Sequence, residues 1–279
     1  MNKLKNMAKI KLFIMIILAT SMKLTLGQAF LYPVGAPAMA MGLASVASSN
    51  FWSVYNNQAG AATAESFQTG VFFENPYLIP GMGHASIGVA VPLGKGNFFF
   101  HLDQSGAQLY AETRSGLGYA MRLANKLKAG IQLDHFLMHA GEGFGNFHAL
   151  TFEGGVMADI IADLTLGLHV FNPLHMKWLH TEEHLPVIMR GGLSYKGIMD
   201  LTLSAEVQKS TDYPAMLCVG AEYNYRGIIY FRAGISSGPS RFTFGAGMRI
   251  KNIMLDLSSS MHEWLGYSPQ ISITYSRNR

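Results

Sequence analysis

From residue 199 onward, apolar and polar residues take turns along the chain. Met199, Leu201, Leu203, Ala205 and Val207 are apolar, and Asp200, Thr202, Ser204, Glu206 and Gln208 stand between them. The pattern restarts with Ala215, Leu217, Val219 and Ala221, and again at Ile229, Phe242, Ile253 and Ile271. Side chains on a strand alternate between faces, so each run predicts a strand with one apolar and one polar face. Strands of soluble sandwiches are usually about 5–6 residues long. These reach about 9–12, the length a tilted strand needs to cross a bilayer. Such segments, separated by turns and by no helical interval, predict an all-β, transmembrane antiparallel β-barrel.

Followed back through the chain, the pattern predicts about fourteen strands, at 66–75, 82–92, 97–104, 109–123, 127–139, 147–160, 164–172, 186–196, 199–209, 214–226, 228–237, 241–251, 253–261 and 269–277. Tight connections follow the even-numbered strands, as at Gly94-Lys95-Gly96 and Ala124-Asn125-Lys126; generally longer ones follow the odd-numbered strands, as at 172–185. Outer-membrane barrels have short periplasmic turns and longer extracellular loops, so both ends of the barrel are expected on the periplasmic side. Parity places Glu112, Arg114, Arg122, Lys128, Gln132, Asp134, Arg190, Glu206, Glu222, Arg226, Arg232, Arg241, Arg249 and Asp256 in the lumen. The fifth strand loses its clean alternation after Asp134, which predicts a bulge there. Tyr195, Tyr223, Tyr225 and Tyr275 fall near periplasmic ends, where girdle aromatics belong.

The N-terminal region breaks the pattern twice. Residues 1–27 carry Lys3, Lys5, Lys9 and Lys11, then the apolar run Leu12 to Thr20, then Thr25-Leu26-Gly27 before Gln28. This predicts a secretory signal peptide. Residues 28–65 are rich in Ala, Gly, Ser and Met and do not alternate; they predict a compact, partly helical segment, expected as a plug in the lumen with a periplasmic cap as the alternative, and the barrel proper at 66–279. A chain that is 49% hydrophobic and 14% charged, with no run of 18 apolar residues beyond the signal, needs somewhere to put its apolar surface, and the lipid-facing wall of a barrel is such a place. Charge then changes the picture of partners. The signal holds five lysines and no acid, so 16 of the 21 basic residues remain against 17 acids, a net of −1. That gives no support to a nucleic-acid partner. The single cysteine, Cys218, excludes an internal disulfide and is expected to face the lumen.

Two stretches carry a resemblance. One runs Val34-Gly35-Ala36-Pro37-Ala38-Met39-Ala40-Met41-Gly42-Leu43-Ala44-Ser45-Val46-Ala47; the other is Asn57-Gln58-Ala59-Gly60. With Phe171-Asn172-Pro173 and Phe231-Arg232-Ala233-Gly234-Ile235-Ser236, they resemble FadL-like outer-membrane barrels, and within them the PorV/PorQ-type proteins of Bacteroidota associated with type IX secretion. The resemblance implies a fourteen-stranded barrel with an N-terminal plug, and makes Gly35, Ala38, Met41, Gly42, Asn57, Ala59 and Gly60 the plug and lumen motif. Gln58 stands where that family usually has proline, and the chain is short for the family.

Catalytic chemistry finds little support: there is no P-loop and no HExxH. His175, His180 and His184 are weak candidates for a divalent transition metal, and a solvated loop is the plainer account of them. No cofactor is expected. The expected function is a non-enzymatic accessory or scaffold subunit of an outer-membrane secretion or assembly machine; the alternative is a FadL-like passive transporter of hydrophobic small molecules. The expected partners are outer-membrane lipid, other outer-membrane or periplasmic proteins, and hydrophobic small molecules.

Overall fold

The computed structural model describes residues 32–107, 109–141, 145–238 and 240–277. The signal peptide expected at 1–27, and the first residues of the plug segment, lie outside the described residues. Fourteen strands follow one another: β1 (Gln68–Glu74), β2 (Gly83–Leu93), β3 (Gly96–Ala107), β4 (Tyr110–Ala124), β5 (Leu127–Ala140), β6 (Gly145–Ile161), β7 (Leu164–Phe171), β8 (Ile188–Ile198), β9 (Leu201–Ser210), β10 (Met216–Tyr225), β11 (Ile229–Ser237), β12 (Ser240–Ile250), β13 (Ile253–His262) and β14 (Gly266–Ser276). Each pairs antiparallel with its sequence neighbours. Register partners such as Val71 with Ile273 join β1 to β14 and close the barrel. Closure leaves no unpaired sheet edge, which is the condition for crossing lipid with strands.

The alternation of the sequence becomes the two faces of the wall. Outward residues such as Ile131, Leu133, Leu168, Phe244 and Leu257 are exposed, while their inward neighbours Gln132, Asp134, His169, Thr243 and Asp256 are buried. Tyr195, Tyr223, Tyr225 and Tyr275 stand outward at the short-turn end. No helix among the described residues is long and apolar enough to cross a membrane.

Three expectations need correction. The bulge after Asp134 is absent: β5 and β6 pair in unbroken register from Leu127 to Ala140. Phe136 keeps its inward parity and packs edge-on against Phe171 and Trp178, while His135 faces outward against His148. Polarity is exchanged between the faces there, and no residue is inserted. The register shifts of the wall lie at Arg122/Ala124, Asp159/Ile161 and Tyr195/Ile198, all at short turns. The β3–β4 and β11–β12 connections, expected among the longer ones, span two residues each. Arg226 sits in the β10–β11 turn over the ring of outward-facing Tyr225, at 5.2 Å, and does not enter the lumen.

The core lies inside the barrel. Two short helices, α1 (Ala36–Ala40) and α2 (Ser53–Asn56), and a 3-10 turn (Gln58–Thr63) bury Met39, Leu43, Trp52, Val54 and Tyr55 against Phe72 and Phe99 of the wall.

Candidate functional site: the occupied lumen

The residues from Val34 to Ala62 are held by inward-facing side chains all round the barrel, because a folded segment with few regular hydrogen bonds of its own must satisfy its backbone elsewhere. Glu206 accepts from the amides of Ser45 (2.7 Å) and Val46 (2.8 Å). Arg190 donates through Nη1 to the Asn56 carbonyl at 3.1 Å. The Thr243 hydroxyl accepts from the Gly42 amide (2.9 Å) and donates to the Ala40 carbonyl (2.8 Å). Asn97 donates to the Ala61 carbonyl at 2.7 Å.

The seven residues singled out from the sequence all lie in this segment. Asn57 is fully buried; its Nδ2 donates to the carbonyls of Val46 (2.6 Å) and Leu168 (3.3 Å), and its Oδ1 caps Ala59. Gly35 has φ +103 and leans on the Trp52 ring, where a Cβ would have no room. At Gly42 (φ +65) the segment meets the wall backbone to backbone: a Cβ on Gly42 would strike the main chain of Val219 and Ile235. Ala38, Met41 and Ala59 are buried within the segment, and Gly60 packs on Ser53. Gln58, read as a departure from a family pattern, is itself a contact. Its Nε2 donates to Glu153 Oε1 at 2.5 Å.

Glu153 belongs to a buried network that the sequence reading missed in part. Its Oε1 also accepts from Arg114 Nη2 and from Gln132 Nε2, each at 2.6 Å, while Arg114 Nε holds Asp134 at 2.9 Å and His169 approaches Glu153 Oε2 at 3.2 Å. A second group joins His84, Ser86, His101 and Asp103 on β2 and β3. Parity along β2, β3, β6 and β7 would have placed His84, His101, Asp103, Glu153 and His169 inside. The wall glycines at the segment's contacts, Gly167, Gly192, Gly220 and Gly234, carried a signal of their own, since glycine within a strand often marks the close approach of another backbone.

At the long-loop end, the 172–187 loop turns Asn172, Trp178, Leu185 and Pro186 inward while most of its other residues stay exposed. Asn172, at φ 53 and fully buried, ties the two ends of this loop together. Its Oδ1 accepts from the Met176 amide and from Thr151 Oγ1, both at 2.8 Å, and its Nδ2 donates to the Leu185 carbonyl at 2.7 Å. Trp178 and Leu185 are thereby buried beside Phe136, Phe171 and Ile188, with Arg114 5.6 Å from the Phe136 ring centre. This is an apolar patch at the long-loop end, separate from the apolar core around Trp52. His175 and His184 stack at 4.4 Å, but no group of three or more His, Cys, Asp or Glu is arranged to hold a metal among the described residues. On the exposed tip, Lys177 lies 3.0 Å from Glu182 and holds that carboxyl below its ordinary range.

No protein-family model matches the sequence, and no curated protein does. Solved structures do. The toluene transporter TbuX of Ralstonia pickettii aligns over 88% of this chain and 98% of its own, at 14% identity and a TM-score of 0.67. The monoaromatic hydrocarbon channel CymD aligns over 90% and 99%, at 12% identity and 0.70. A Pseudomonas aeruginosa FadL homologue aligns over 87% and 98%, at 12% identity and 0.62. The fold is that of these barrels. At such identities the likeness is one of architecture, and it covers nearly the whole of each chain.

Proposed function

We propose that this chain is an outer-membrane barrel that passes small hydrophobic molecules inward by passive, non-enzymatic transfer. The observation that carries the reading is the near-complete match of this fourteen-strand closed barrel to structures described as toluene transporters and a monoaromatic hydrocarbon channel. The apolar patch of Phe136, Phe171, Trp178 and Leu185 supports it, since an apolar cluster under the 172–187 loop offers a small hydrophobic solute matching surface once that loop moves aside. The residues Val34 to Ala62 then act as a plug that closes the lumen to water-borne solutes.

The accessory-subunit reading, and the PorV/PorQ-type assignment with it, rests on the short motifs around Val34–Ala47 and Asn57–Gly60. The comparisons support transport over that reading. The test is uptake of radiolabelled toluene by cells with an intact lipopolysaccharide layer, with and without the protein. Faster uptake in its presence supports transport. Uptake equal to the empty-vector control, with a stoichiometric secretion component on mild-detergent purification, would restore the accessory role.

A further inference from the structure

The lumen has an open space at the short-turn end below the N-terminal segment. It encloses about 520 Å³ between that segment and the inner faces of β8 to β14. A volume in the range of roughly 300–1,000 Å³ suits a small organic ligand. Its chemistry differs from the apolar patch at the opposite end. Hydroxyl and amide groups dominate the wall side, among them Ser194, Thr202, Ser204 and Thr274, and Trp52 and Met41 form part of the roof.

Charge decides what the cavity takes. Three cations line it, Lys196, Arg232 and Arg249, with two acids, Glu222 and Asp256. Arg232 bonds both acids, through Nε to Glu222 at 2.6 Å and through Nη1 to Asp256 at 2.7 Å. Both carboxylates are therefore engaged. Among the described residues no carboxylate lies within 4.0 Å of Lys196 or Arg249, although Asp159 is within electrostatic reach of Lys196 and Asp256, already bonded to Arg232, within that of Arg249. Arg249 rests instead on the Tyr230 ring, 5.8 Å from its centre, which backs its guanidinium without neutralising it. Its planar fork of donors matches the geometry of a carboxylate or phosphate. The lining residues occupy inward positions of the strands, so the surrounding bilayer does not reach them.

We propose that this cavity is a binding site for a small water-soluble oxyanion, a carboxylate or phosphate carried on a body of about ring size, held by Arg249 over the Arg232 ion-pair floor, with Lys196 on β8 adding positive charge from across the cavity. The site is separate from the apolar patch under residues 172–187 and does not depend on the transport reading.

The probes are benzoate and phenyl phosphate, with neutral benzyl alcohol of matching shape, titrated calorimetrically into the full barrel in nanodiscs of uncharged lipid. The expected result is binding of at least one anion about tenfold tighter than the alcohol. A Lys196→Gln, Arg249→Gln double variant should lose that about tenfold preference, and Arg249→Lys should keep part of it. Both substituted residues are exposed at strand ends and outside the buried networks, and retained heat-modifiable migration on a gel confirms that the variants fold. Equal binding of anion and alcohol, undiminished anion binding by the double variant, or no anion binding at all would each overturn the proposal.

Discussion

Glu153 shows how single residues hold the lumen together. It is almost fully buried and takes hydrogen bonds from the β4 guanidinium, a β5 amide and the N-terminal segment at once. Among the described residues Arg114 is the only full cation bonded to it and to Asp134. Removing one partner of a buried charged network leaves the others uncompensated, at a typical cost of about 3–5 kcal/mol. Arg114→Ala should therefore lower the midpoint of urea unfolding in detergent well below that of the wild type. Gly234 tests the opposite kind of contact. A Cβ there would collide with the main chain of Met41 and Gly42, and such overpacking costs about 1–3 kcal/mol. Gly234→Val should loosen the segment, read as faster proteolysis between residues 34 and 62, in a barrel that still closes. The lumen residues were partly legible in sequence. Asn57 and Gly42 stand out by motif, and Arg114 and Asp134 by parity. Glu153 and His169 were passed over although parity places them inside. Gln58 was read as a lost proline because a contact made across 95 residues leaves no trace in local pattern.

Among the elements, the strands were the most legible and their connections the least. Side-chain alternation is a direct projection of the two faces of the wall, so all fourteen strands fall within a few residues of their predicted positions. A two-residue turn such as β11–β12 has no such projection, and the polar strand ends around it read as loop. The long connection after β7 was recognised, but its inward fold was not, because that depends on Asn172 bonding both ends of the loop. Asn172→Ala removes three hydrogen bonds of 2.8 Å or less, each contributing about 1 kcal/mol net, from a residue in a left-handed conformation that asparagine tolerates well. The expected outcome is proteolytic cleavage within 173–186 and a red-shifted tryptophan emission as Trp178 meets water. By contrast, Glu182→Gln at the exposed tip should leave the unfolding midpoint unchanged, since isolated surface pairs contribute little. Lys177 holds the Glu182 carboxyl low, so whatever that pair adds is present above the ordinary carboxylate range and is lost as pH falls through the lowered value.

For the whole molecule, the wall and its contents are one construction. The outer face is apolar around the full circumference, the inner face is mostly polar with many of its charges paired, and the N-terminal segment packs inside it. Two regions of opposite character result: a packed apolar patch at the long-loop end and an open cationic cavity at the short-turn end. The architecture was legible from periodicity and strand length alone. The choice between conduit and scaffold was not, because both functions use the same wall, and the likeness to hydrocarbon channels is one of fold. The most direct test is the initial rate of radiolabelled toluene uptake by cells carrying wild-type protein, Trp178→Ala or empty vector, at matched levels of folded barrel. Transport through the patch under residues 172–187 predicts a wild-type rate clearly above vector and a Trp178→Ala rate several-fold lower. Rates for wild type and vector that coincide would contradict it.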